Sequence, residues 1–285
     1  INVARLWDAA REDIDWAALR ETVALGTRFL DNVVEVNDFP LKEIDEAASA
    51  NRKIGLGIMG FADLLIEAKL PYDSEAALTL ADRLSREIGE AADATSEALG
   101  EEKGVFPNWE RSVYADGRRY RNATRTCIAP TGTIAIIAGA SSGIEPLFSL
   151  AHQRRMGDGT LLPEISAAFE AAARDGDFYS AELIEELAAG ASINSRPEIP
   201  EEVRARFANA HEIAPQAHVR MQAAFQSHTD LAVSKTVNLP QEATVEEVRA
   251  VYLLAHELDC KGVTVYRDGS RALQVLSHDD TAGPD

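Results

Sequence analysis

The stretch Cys127-Ile128-Ala129-Pro130-Thr131-Gly132-Thr133-Ile134-Ala135 decides the architecture. Thr124 to Ala129 reads as a strand, Pro130 to Thr133 as a turn, and Ile134 to Ala138 as the start of a short helix. The first amides of a helix have no internal acceptor and point along its axis. They sit at the positive end of the helix dipole, so the turn is a ready anion site. Gly132 lets an oxygen approach the backbone with no Cβ in the way, Thr131 and Thr133 add hydroxyls, and Pro130 fixes the turn without offering a competing amide. Pro130, Thr131, Gly132, Thr133 and Ile134 are therefore the candidate phosphate-binding residues. A capped helix without a ligand is the competing reading.

Outward from this turn, helical spacing of Leu19, Val23, Leu30, Val33 and Val34 predicts a helix from Asp13 to Val36. A second helix is expected from Gly60 to Ala68, and a long one from Ser74 to about Leu99, closed by Gly100. Residues 163 to 226 read as helix in pieces, broken by Gly176, Gly190 and Pro197. Thr244 with Glu247 forms a capping box for a helix to Leu258. Strands are expected at the opening Ile1 to Leu6, at Leu147 to Gln153, at Val233 to Leu239 and at Gly262 to Tyr266; Asn51 to Met59 reads as a buried strand or loop. Strands alternating with helices imply an α/β architecture with mostly parallel strands. The polar tail, Ser277 to Asp285, is expected to be disordered.

The chain has 285 residues, of which 46% are hydrophobic, enough for a sizeable core. No window reaches the roughly 18 uninterrupted apolar residues of a membrane helix, and no secretory signal is present. With only Cys127 and Cys260, far apart, there is no disulfide framework and no zinc spacing. A cytoplasmic protein is the expectation. A net charge of −19 argues against a nucleic-acid-binding surface. The opening on Ile1, without Met, suggests a piece of a longer polypeptide or a processed terminus.

Gly55-Leu56-Gly57-Ile58-Met59-Gly60 matches a dinucleotide-binding pattern. The segment that follows is helical where a second strand ending in an acidic residue is needed, so close packing of glycines is the stronger reading. Ser141-Ser142-Gly143-Ile144-Glu145-Pro146 presents a carboxylate just after the turn, either facing a site or capping locally. The six histidines show no metal-binding spacing.

From Arg125 to Phe148 the sequence resembles adenosylcobalamin-dependent (class II) ribonucleotide reductases. Asn51-Arg-Lys-Ile-Gly-Leu-Gly-Ile-Met-Gly-Phe-Ala-Asp-Leu-Leu65 is similar to a further segment of these enzymes. So are Val233-Ser-Lys-Thr-Val-Asn-Leu-Pro240 and Cys260-Lys-Gly-Val-Thr-Val-Tyr-Arg-Asp-Gly-Ser-Arg271. The resemblance implies the second half of a ten-stranded α/β barrel, spanning residues 1–276. It implies reduction of the ribose 2′-hydroxyl by a thiyl radical generated by adenosylcobalamin. It also implies a ribonucleotide di- or triphosphate held by Pro130 to Ile134, a dithiol reductant such as thioredoxin, and a homodimer. Class I enzymes carry a tandem Tyr pair where this chain has Val265 and Tyr266, which favours a radical made in place by cobalamin. The family's radical and redox cysteines lie upstream of the segment that resembles Ile1, so neither Cys127 nor Cys260 takes a catalytic role. A non-catalytic phosphate- or nucleotide-binding subunit of a split enzyme is the alternative.

The basic residues are 22 Arg and six Lys, which with the acidic excess fits either salt adaptation or a GC-rich genome. A salt-adapted surface gives a melting temperature that climbs steeply with molar KCl. A flat thermal-melt series leaves genome composition as the explanation.

Overall fold

The computed structural model describes residues 1–155 and 161–270; the expected tail at 277–285 lies outside them. Asn2 caps a 3-10 turn, Val3–Leu6, and β1 (Trp7–Asp8) pairs antiparallel with β2 (Asp13–Ile14). The strand expected over Ile1 to Leu6 is thus reduced to a bridge at Asn2, because the Asn2 side chain draws the Ala4 amide into a turn. α1 (Trp16–Val36) begins later than Asp13, since Asp13 and Ile14 are paired with β1 and Asp15 accepts from the Ala18 amide at 3.0 Å as the cap. Its buried face is Leu19, Val23, Thr27 and Asp31, one residue every four.

α2 (Lys42–Asn51) was not foreseen; it buries no residue, so it leaves no apolar stripe in the sequence. α3 (Phe61–Glu67) follows Gly60, and α4 (Glu75–Lys103) starts where Ser74 accepts from the Ala77 amide at 3.1 Å. Gly100 does not end α4. A Cβ there would lie 1.9 Å from the Arg119 carbonyl oxygen, so glycine serves close approach inside the helix, which ends at Gly104. α5 (Gly132–Ala138) comes directly after the turn.

β3 (Ala151–Arg155) and β4 (Leu161–Ile165) form an antiparallel hairpin, a departure from the parallel pattern. The expected strand at 147 therefore starts later, and the expected helical stretch from Pro163 begins with a strand. The helical pieces are α6 (Ala167–Asp175), α7 (Ala181–Ala188), α8 (Glu201–Arg206) and α9 (Pro215–Gln226). β5 (Thr236–Leu239), α10 (Val245–Glu257) and β6 (Thr264–Arg267) complete the described chain. The capping box at Thr244 and Glu247 is present on α10.

Five extended segments neighbour one another in chain order, all parallel. Asn2 bridges Met59, Leu56 bridges Thr126, Ile128 bridges Val233, and β5 pairs with β6 from Thr236↔Thr264 to Leu239↔Arg267. Thr124 to Ala129 is thus extended but joined by single bridges rather than a full ladder. The Gly55–Gly60 pattern proves to be packing. A Cβ on Gly57 would lie 2.1 Å from the Cys127 carbonyl oxygen, so only glycine lets these two segments meet. Helices α1, α3, α4 and α9 cover Ile58, Ile128 and Val233 in one continuous core. A second core joins α6 and α7 around Phe169 and Phe207, and a third joins β5 to α9 and α10 through Val219, Val237 and Val251.

Buried Asp31 ties these layers together. It accepts from Arg52 Nε (3.1 Å) and Nη2 (2.9 Å) and from Asn122 Nδ2 (3.1 Å), with Lys103 Nζ at 3.4 Å and Arg121 Nε at 3.5 Å. Burial raises its carboxyl pKa, but the bonds and charges of Arg52, Asn122 and Arg121 outweigh that and hold it below the usual value. Asp31→Asn takes away the buried one of the two carboxylates that face Arg52, leaving only the exposed Glu35, 2.9 Å from its Nη1. We expect a loss of about 3–5 kcal/mol in urea-unfolding free energy, and an unchanged midpoint would show that solvent reaches the cluster.

Candidate active site

The turn predicted to bind phosphate leads out of the Thr126–Ile128 segment at its carboxyl end. Thr131 lies in the left-handed region (φ 52°, ψ 22°). That is an uncommon place for a β-branched residue, and such strain costs about 1–3 kcal/mol. A specific bond holds it there: the Gly143 amide donates to Thr131 Oγ1 at 2.8 Å. Gly132, Thr133 and Ile134 are exposed and form the first turn of α5, where no preceding turn can accept from their amides. α5 has only seven residues, so the local amides matter more than any long-range dipole. A Cβ built on Gly132 meets nothing within 4 Å, and its φ is not in the left-handed region. Glycine at 132 is therefore not required by the fold, in contrast to Gly57.

The loop after α5 is pinned at both ends. At its start, the Ser141 amide donates to Asp63 Oδ2 (2.7 Å) and the Gly60 amide donates to the Ser141 carbonyl (2.8 Å). At its end, Glu145 meets Lys235, which sits just before β5 and is 1% exposed. The Lys235 ammonium has three protons and three acceptors: Glu145 Oε2 at 2.5 Å, His218 Nδ1 at 2.8 Å and the Thr236 carbonyl at 2.5 Å. Glu145 Oε1 accepts from the Thr236 amide at 2.7 Å. Burial pushes the Lys235 pKa down, and Glu145 pulls it back up. Burial, and then the Lys235 charge, lower the His218 pKa to about 3. Neutral His218 accepts at Nδ1, so Nε2 carries the proton and faces the Ala210 carbonyl at 3.0 Å. Tyr72, also buried, donates to the Ile144 carbonyl at 2.7 Å.

The structure brings Pro130 to Ile134 together as one exposed turn, and it answers the question left open at Glu145, which is an ion-pair partner and not a helix cap. Lys235 and Tyr72 were missed, while His218 is the satisfied structural histidine that the absence of a metal-binding spacing favours. The only signal for the missed pair was a Lys inside the strand-like run from Val233 to Leu239. Cys127 and Cys260 are free, half-buried thiols whose pKa values burial raises, the opposite of an activated nucleophile. Val265 packs in the core between β5 and α10, so its neighbour Tyr266 faces the other side of the sheet, beside Asn238. No helix among the described residues is long and apolar enough to cross a membrane.

The described elements define an α/β protein with a parallel array in chain order and a turn running into a short helix at its carboxyl edge. The family model described as "Ribonucleotide reductase, barrel domain" matches residues 1–121 and 118–266, and the chain belongs to that family. The chain is 50% identical over 278 residues to a "Vitamin B12-dependent ribonucleoside-diphosphate reductase" of Mycobacterium tuberculosis, covering 98% of this chain and 39% of that protein. A protein of the same description from Thermoplasma acidophilum is 47% identical over 265 residues, covering 93% of this chain and 34% of the relative. The chain thus spans well under half the length of these relatives. Among solved structures, the Actinobacillus ureae class Id ribonucleotide reductase alpha subunit superposes with TM-score 0.76 at 22% identity, over 87% of this chain and 46% of that one. At that identity the likeness speaks for the fold alone.

The depressed His218 pKa has a sign that can be checked. Above the unfolded value of 6.5 both states leave the ring neutral and the His218 contribution is complete. As pH falls from 6.5 toward about 3, only the unfolded chain takes the proton, so stability is lost. His218 alone adds a slope of up to about 1.4 kcal/mol per pH unit. His218→Asn, which offers an acceptor near Nδ1 without titrating, is expected to flatten urea-unfolding free energy between pH 6.5 and 4.5. An equal slope in both proteins would assign the acid sensitivity elsewhere.

Proposed function

We propose that this chain is the substrate-phosphate-holding part of a vitamin B12-dependent ribonucleoside-diphosphate reductase, an oxidoreductase that converts ribonucleotides to 2′-deoxyribonucleotides for DNA synthesis. The observation that carries the proposal is the turn at Pro130–Ile134, with its outward amides and a Gly132 that the fold does not need. The names of the relatives supply the reaction. The five parallel segments in chain order support the reading of residues 1–276 as the second half of a ten-stranded barrel, with the first half supplied by the remainder of the enzyme.

In this reading the amides of Gly132, Thr133 and Ile134 receive the substrate phosphates, and the Thr131 and Thr133 hydroxyls supplement them. Holding the phosphates fixes where the ribose lies, which is the chain's share of the chemistry. The face of β5 and β6 that carries Thr236, Asn238, Thr264 and Tyr266 is turned away from the helical core and is polar, as a substrate-facing wall requires.

Adenosylcobalamin would supply the initiating radical when bound. Two places among the described residues do not suit it. An open groove of about 600 Å³ is walled by charged groups such as Arg86, Glu90, Asp93 and Lys261, which do not suit a corrin ring. His218 and His228 are bonded to Lys235 and Asp82 and are not free to ligate cobalt. The complete enzyme would draw on adenosylcobalamin and a dithiol reductant such as thioredoxin and would form a homodimer; without the redox cysteines that the family resemblance places upstream of Ile1, the chain by itself is proposed to be inactive. A cytoplasmic location follows from the same reading.

Gly132→Val tests the turn. Because a Cβ there meets no atom of the described residues within 4 Å, the melting temperature should stay unchanged. A nucleoside diphosphate should bind the complete enzyme at least about tenfold more weakly, as its oxygens meet the added methyls. Unchanged affinity by calorimetry would remove the turn from the substrate site.

A further inference from the structure

The Lys235–Glu145 pair is buried on the Lys side and lies outside the phosphate turn, yet it is linked to that turn by a short run of bonds. From β5, Lys235 Nζ reaches Glu145 Oε2 at 2.5 Å, and the Thr236 amide reaches Glu145 Oε1 at 2.7 Å. The Glu145 amide donates to the Ser142 carbonyl at 2.9 Å, closing the loop around Gly143. The Gly143 amide then donates to Thr131 Oγ1 at 2.8 Å. Thr131 is the left-handed residue whose conformation aims the amides of Gly132 to Ile134 outward.

A buried ion pair is weak evidence for stability, because removing two charges from water costs about what their attraction returns. Two apolar side chains of similar volume would serve the core equally well. What they would not supply is direction. The ammonium here is satisfied in three fixed directions, and the carboxylate is held by two donors from adjacent residues. With the Asp63–Ser141 bond at the other end, the loop is clamped on both sides of Gly143.

We propose that Lys235 is a positioning residue for the substrate phosphates: through Glu145 it fixes the loop whose Gly143 amide holds Thr131, and so sets the aim of the Gly132–Ile134 amides. This rests on the phosphate reading of the turn given above. Lys235 touches no substrate itself, and its effect passes through Glu145 and Thr131.

The test is a double-mutant cycle on nucleoside diphosphate affinity, measured by calorimetry on the complete enzyme. One arm is Thr131→Val, which keeps the β-branch but removes the acceptor for Gly143. The other is the paired change Lys235→Met with Glu145→Leu, which removes both charges at once and is expected to keep a cooperative melt. If the pair does not melt cooperatively, Glu145→Gln takes its place, since it keeps an oxygen for the Thr236 amide while removing the charge and the acceptor for Lys235 Nζ. Each arm should weaken binding by about tenfold, and the combination should be no worse than either arm alone, because both break one chain of contacts. Multiplying effects, about a hundredfold in the combined variant, would mean that the two sites act independently and would overturn the inference. So would normal affinity in the charge-removed arm alongside a weakened Thr131→Val, an outcome that leaves the phosphate reading standing. If Thr131→Val and Gly132→Val both bind normally, the phosphate reading falls and the inference falls with it.

Discussion

An ammonium group with no access to water must find an acceptor for each proton, and the arrangement around Lys235 follows from that demand. Its three acceptors come from a loop, a helix and its own strand: Glu145, His218 on α9 and the Thr236 carbonyl. Meeting them fixes three separate parts of the molecule at once. It sets α9 against β5, closes the loop after α5 and imposes a single tautomer on His218. Because an unmet donor there costs far more than a met one returns, the constraint acts as a filter on geometry rather than as a large source of stability.

A second constraint acts at the opposite side of the core. Asp31 gathers Arg52, Lys103, Arg121 and Asn122, which come from the end of α2, the end of α4 and the approach to the Thr126–Ile128 segment. Elsewhere α1, α3, α4 and α9 are laid over Ile58, Ile128 and Val233, with Gln222 Nε2 donating to the Val233 carbonyl at 3.1 Å and Ser85 Oγ to the Ala224 carbonyl at 3.1 Å. Within the parallel array, Gly57 meets Cys127 at a spacing that excludes any side chain. The site is thus carried on a segment fixed by packing beneath it and by ion pairs on either side.

What the sequence made legible was local. The turn at Pro130–Ile134, the capping box at Thr244 and the start of the α1 stripe at Leu19 and Val23 are each set by residues within a few positions of one another; Val33, expected on that stripe, is exposed because the buried face continues through Thr27 and Asp31. Gly100 was misread because a glycine inside a helix and a glycine ending one look alike until the Arg119 backbone is seen beside it. α2 was missed because an exposed helix needs no apolar face. Lys235 was passed over for a different reason: Glu145 lies 90 residues earlier, and nothing in the spacing of either residue announces a pairing that only the folded array creates.

The open space beside Gly132 has a consequence for how this part of the protein can change over time. Most positions in a packed domain answer to two demands at once, folding and function, and a variant that fails cannot be assigned to either. Position 132 is released from the first demand within the described residues, since a Cβ there has none of their atoms within 4 Å. Under the proposed phosphate reading, variation at that one residue is screened by the bound molecule rather than by packing within the described residues. A lineage could shift its ligand preference there without passing through an unstable intermediate.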